Sequence, residues 1–182
     1  MNNIDRVMRI LFEEPIRVFH VRLLARLTKL NPNTIISITD KLAADGILLK
    51  HKNKDSGLTL IKSNIQNANY KLNKQFYNIK KIYGSGLVDF LNEKLAYPSI
   101  ILFGSYAKAE NRAGSDIDLF IVSEIKEKPD ISIYEHKLNA EIQLFIYTQK
   151  NFRKLIRTNP ELVNNFINGY KLSGYLEAFN GF

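Results

Sequence analysis

Cysteine is absent from the 182 residues. That excludes disulfides and thiolate-held zinc and agrees with a reducing, cytoplasmic setting. Histidine occurs only as His20, His51 and His136, far apart and without metal-ligand spacing. No apolar run approaches the ~18 residues of a membrane span. The opening MNNIDRVMRIL has no apolar signal core, so a soluble protein with no membrane partner is expected. Tandem repeats and low-complexity segments are lacking too. What is present is globular: 45% hydrophobic and 24% charged residues, enough to build cores over a length that accommodates two compact domains.

Basic charge is concentrated at one end of the chain. The formal net charge is +8; residues 1–75 hold 13 Lys and Arg against 6 Asp and Glu, whereas residues 76–182 hold 13 against 12. A basic segment beside a nearly neutral one predicts a polyanion, most simply double-stranded DNA, as partner of the first part.

Ile4, Val7, Met8, Leu11 and Phe12 recur at helical spacing and stop at Pro15, and Val21, Leu24, Ala25 and Leu27 mark a second helix. Asn31-Pro32 opens a third, which runs to about Ala44 before Gly46. On it Ile35, Ile38 and Leu42 share one face, while Asn33, Ser37 and Lys41, with Thr34, lie elsewhere. ILLKHKN, KDSG and LTLIK then read as two strands and a turn carrying Lys50, Lys52, Lys54 and Lys62. This order resembles the winged helix-turn-helix DNA-binding domains, over residues 1–74. The resemblance implies that Asn33, Thr34, Ser37 and Lys41 enter a major groove and that Lys50, Lys52 and Lys54 lie on the backbone or minor groove. Residues 75–97 follow as one long or kinked connecting helix, with Phe76, Ile79, Ile82, Leu87, Phe90 and Leu91 along its apolar face.

The stretch LFGSYAKAENRAGSDIDLFIV reads as strand, helical turn, loop and strand. Asp116 and Asp118, two apart on a strand, point to one face. Two carboxylates so close repel unless a cation lies between them, and oxygen-only ligands favour Mg²⁺ or Mn²⁺. Gly104 allows a phosphate to approach the backbone, and Ser105 supplies an amide and a hydroxyl as donors.

These residues resemble the nucleotidyltransferase superfamily that includes DNA polymerase beta, kanamycin nucleotidyltransferase and the small minimal nucleotidyltransferases. The resemblance implies that Gly104, Ser105, Lys108 and Ser115 bind the nucleotide, with Arg112 near the phosphates. It also implies that Asp116 and Asp118 hold metal, and that a third carboxylate on a neighbouring strand completes a two-metal site. In KLNAEIQLFIYT, residues 137–148, the third acidic position falls on Gln143. Glu141, two residues earlier on the same face, is the candidate to serve instead; the alternative is a weakly held second metal. Ala109 stands where that family usually has glycine.

The expected fold is α/β of the α+β kind: an N-terminal winged helix-turn-helix (1–74), a connecting helix (75–97) and a C-terminal nucleotidyltransferase-like mixed sheet with flanking helices (98–182). The expected function is Mg²⁺-dependent transfer of a nucleoside monophosphate from a nucleoside triphosphate, ATP foremost, to an acceptor. The rivals are a transcriptional regulator that senses nucleotide without turnover and an antitoxin-like interaction module. Phe179 and Phe182 are expected to pack on the core or on the second subunit of a homodimer.

Overall fold

The computed structural model describes residues 2–54 and 57–176; Phe179, Phe182 and the Asp55-Ser56 part of the predicted turn lie outside them. The chain divides into two compact units, Met1–Tyr77 and Asn78–Phe182.

In the first unit the order is α1 (Asn3–Glu13), β1 (Val18–His20), α2 (Val21–Thr28), α3 (Pro32–Ala44), β2 (Leu48–Lys52), β3 (Thr59–Ser63) and the start of α4 (Ala68–Ser85). The three helix starts are capped by different chemistry. Asn2 and Asp5 form a reciprocal capping box, His20 Nδ1 accepts from the Leu23 amide at 3.2 Å, and Asn31 accepts from the Asn33 amide at 2.9 Å ahead of Pro32. After α3 the chain reverses at Gly46, φ +72, as its sequence position predicts. The strands form an antiparallel sheet in the order β1-β3-β2. Phe19, Leu24, Ile35, Leu48, Ile61 and Tyr70 are fully buried between helices and sheet.

Tyr70, from α4, has a measurable consequence. Its hydroxyl donates to the Leu11 carbonyl at 3.3 Å, and burial pushes its pKa up to about 12 from 10.0, with the Ser63 side chain opposing. Because the folded value is raised, the stabilisation is intact below pH 10 and is lost as pH rises through 12. We expect about 2–3 kcal/mol to disappear over that interval. Chemical unfolding of wild type and Tyr70→Phe at each pH checks it: the variant should lack this part of the alkaline loss.

The second unit contains the rest of α4, then α5 (Leu87–Lys94), β4 (Ser99–Phe103), α6 (Gly104–Ala107), β5 (Ile117–Val122), α7 (Ser132–Leu138), β6 (Ile142–Tyr147), α8 (Gln149–Thr158), α9 (Pro160–Ile167) and β7 (Tyr170–Ser173). The segment expected as a single connecting helix is thus two: α4 begins before it, and Gly86, φ +84, separates α4 from α5. The sheet order is β6-β5-β4-β7. β5 and β6 are parallel, joined by the crossover that contains α7, and the other pairs are antiparallel. One face packs Ile100, Leu102, Leu119 and Leu144 against Leu87 and Leu91 of α5 and Leu138 of α7. The other packs Ile101 and Phe120 against Phe152 of α8 and Val163 and Phe166 of α9. Burial on both faces accounts for the unbroken apolar runs IILF and LFIV. The result is the α+β class expected from the sequence, with a mixed sheet.

Candidate functional site

β4 delivers the chain to Gly104, which turns with φ +68 into the short helix α6. Across the antiparallel pair Phe103 is opposite Asp118, so the turn and the second aspartate meet directly. A Cβ placed on Gly104 would lie 2.2 Å from Asp118 Oδ2 and 3.1 Å from its Cγ. Only glycine fits, and the spacing from Gly104 to Asp118 in sequence becomes contact in space. Ala109, just past α6, also has positive φ, +58, a backbone state that glycine adopts more readily than alanine.

Asp116 immediately precedes β5 and Asp118 lies within it. Burial, and secondarily the Asp116 charge, raises the Asp118 carboxyl above its ordinary 3.8. A raised folded pKa means that stability is greatest in acid and falls as pH rises through that pKa. Asp118→Asn, which removes the charge, is therefore expected to melt higher than wild type at neutral pH without divalent cations. The gap should close as pH is lowered, which thermal melts across pH check.

β6 lies parallel to β5 with Gln143 beside Asp118. Gln143 Nε2 donates to Asp116 Oδ2 at 2.6 Å, a bond that links the amide to the carboxylate before β5. Glu141 is exposed at the entry to β6, where its carbonyl accepts from the Ile117 amide at 2.8 Å. It lines a cleft of about 620 Å³ with Asp116, Ser132, Glu135 and His136. Among the described residues no three of His, Cys, Asp and Glu are grouped to hold a metal ion. Asp116, Asp118 and Glu141 thus do not form one ligand cluster in this structure. Asp116 and Asp118 together offer the donor set of one hard cation; a second lacks a converging carboxylate.

Ser115 closes the loop before β5: its Oγ accepts from the Arg112 amide at 2.9 Å, and its amide donates to the Arg112 carbonyl at 3.0 Å. Ser105 is half-buried in α6, its carbonyl receiving the amides of Glu110 and Asn111 at 2.8 and 3.2 Å. Lys108 and Arg112 are exposed.

Residues 85–169 match the family model of the nucleotidyltransferase domain.

No curated protein and no solved structure matches the chain. The nucleotidyltransferase match runs from the end of α4 through α9 and contains Gly104, Asp116, Asp118, Glu141 and Gln143. It begins earlier than the GSYA-to-DID motif and so includes α5, which packs one face of the same sheet.

In the first unit Asn33, Ser37 and Lys41 are exposed on α3, whereas Thr34 is half-buried. Ile36, 42% exposed among them, is missed when only polar residues are sought on that face. Lys52 and Lys54 are exposed, but Lys50 is half-buried and engaged by α3, its Nζ 2.5 Å from Asp40 Oδ1 and 3.3 Å from Thr39 Oγ1. Arg22 and Arg26 are exposed on α2, basic residues that attention to the third helix and the strands alone passes over. No helix among the described residues is long and apolar enough to cross a membrane.

Proposed function

We propose that the second unit transfers a nucleoside monophosphate from a nucleoside triphosphate, with ATP as the first candidate, to an acceptor hydroxyl. The observation that carries this reading is the contact geometry of Gly104 and Asp118, a bare turn held directly against a carboxylate beside a second one. It supports a place where phosphate oxygens approach backbone while charge is neutralised alongside. Gly104 and Ser105 present the turn to the phosphates, Lys108 and Arg112 add positive charge at its rim, and Ser115 fixes the loop that aims Asp116. Asp116 and Asp118 would hold Mg²⁺ or Mn²⁺. When bound, the cation neutralises phosphate charge and eases departure of pyrophosphate. Glu141, exposed in the cleft shared with Asp116, would be the carboxylate that receives the proton of the acceptor hydroxyl.

The first unit, in this reading, is a winged helix-turn-helix that binds double-stranded DNA. Exposed Asn33, Ser37 and Lys41 on α3 read bases and phosphates, and Lys52 and Lys54 on the hairpin contact backbone. A second reading, a regulator that binds nucleotide without turning it over, is favoured by the neutral Gln143 on Asp116.

Mass spectrometry of the purified protein, its small molecules and added DNA, after incubation with ATP and Mg²⁺, tests the two. A nucleotidyl group gained by any component, with pyrophosphate released, establishes transfer. Calorimetric binding of ATP with no product over hours establishes the sensor.

A further inference from the structure

We propose that Gln143 makes this a one-cation site: Asp116 and Asp118 hold a single divalent ion with the triphosphate, and the Gln143 amide occupies the place where a second ion would need a carboxylate. The inference rests on the nucleotide-binding reading and adds to it the number of ions and the residue that sets that number.

Register and chemistry carry it together. β5 and β6 are in parallel register, so the side chain beside Asp118 on the same face is that of Gln143. The amide is not idle there. Its Nε2 is 2.6 Å from Asp116 Oδ2, so Gln143 occupies one carboxylate oxygen with a hydrogen bond to a charged acceptor. That bond holds Asp116 while contributing no negative charge. Glu141 shares the side-chain parity of Gln143 but precedes β6, is exposed, and lines its cleft with Asp116. No third acidic or imidazole group joins the two aspartates among the described residues. One Mg²⁺ is satisfied by one or two carboxylates, water and substrate phosphates. Two ions about 3.5–4 Å apart would have to share the triphosphate and the same two aspartates, with no third protein carboxylate grouped beside them among the described residues. Residue 143 is the position on the neighbouring strand from which a further charge would reach both.

The test uses Mn²⁺ and a non-hydrolysable ATP analogue with the full chain, followed by electron paramagnetic resonance. Wild type should bind one Mn²⁺ with the hyperfine spectrum of an isolated ion. Gln143→Glu should bind two and give the spectrum of a spin-coupled pair, and Mn²⁺ should raise its melting temperature more than that of wild type. Gln143→Asp, with a shorter reach, is the second variant should Gln143→Glu fold poorly. A coupled pair already present in wild type would overturn the proposal, as would both folded variants retaining a single isolated ion. Mn²⁺ binding that is indifferent to Asp116→Ala would instead overturn the underlying assignment of the site. Pyrophosphate release is a separate readout: its absence in a wild type that binds one ion leaves the count standing and removes only the transfer reaction.

Discussion

Asp116→Ala is expected to lower Mg²⁺-dependent pyrophosphate release by about three orders of magnitude, the scale on which a charge-stabilising group matters in a transition state. The effect has two sources. The proposed cation site would lose one of its two carboxylates, and the Gln143 amide loses the oxygen to which it donates at 2.6 Å. Asp116→Asn separates them, because it keeps the side-chain shape and an oxygen acceptor while removing the charge. If charge is what matters, the asparagine variant should be nearly as inactive as the alanine variant yet melt close to wild type. Steady-state release of pyrophosphate with saturating ATP and Mg²⁺ measures the first quantity and a thermal melt the second. Turnover by Asp116→Ala at the wild-type rate would remove this residue from the chemistry.

Reversal of Lys41, Lys52 and Lys54 to Glu should abolish duplex binding at low salt. Replacing them singly by Ala should reduce the magnitude of the slope of log K against log salt by about 0.9 for each phosphate left without its lysine. These three side chains are exposed. Lys50 should behave differently, since its ammonium is bonded to Asp40 and Thr39 on α3: its removal is expected to loosen β2 from α3 and lower stability, with a smaller change in salt slope. Ser37→Ala, on the exposed face of α3, should change sequence preference at constant slope, because base contacts specify and phosphate contacts position. Fluorescence anisotropy with labelled duplexes over a salt series distinguishes all three behaviours. Unchanged affinity in the triple reversal would turn the first unit into a protein-interaction module.

What could be read from the chain before folding was whatever a few neighbouring residues decide. Asn31-Pro32 marks the start of α3 because capping is a contact within one turn. The strand at Asp118 shows as an apolar run behind the aspartates, although Asp116 itself stands just before β5, and Gly104 marks a turn where backbone can be approached closely; its contact with Asp118 is tertiary. Besides the helix α7, the elements that escaped the sequence reading are strands created by pairing. β1 has three residues and β7 four, too few for any period to show. Each is a strand because it hydrogen-bonds to β3 or β4, a partner distant along the chain. The break at Gly86 was visible as an interruption, but whether it kinks one helix or divides two depends on the backbone around it. At the site, sequence identified position 143 as the odd one; only the parallel register of β5 and β6 placed its amide beside Asp118 and on Asp116. That register is fixed by two apolar faces packed against helices from other parts of the chain, where a slip of one residue would turn every side chain to the wrong side. The local pattern therefore determined which groups this protein brings to its chemistry. Tertiary packing decided which of them touch.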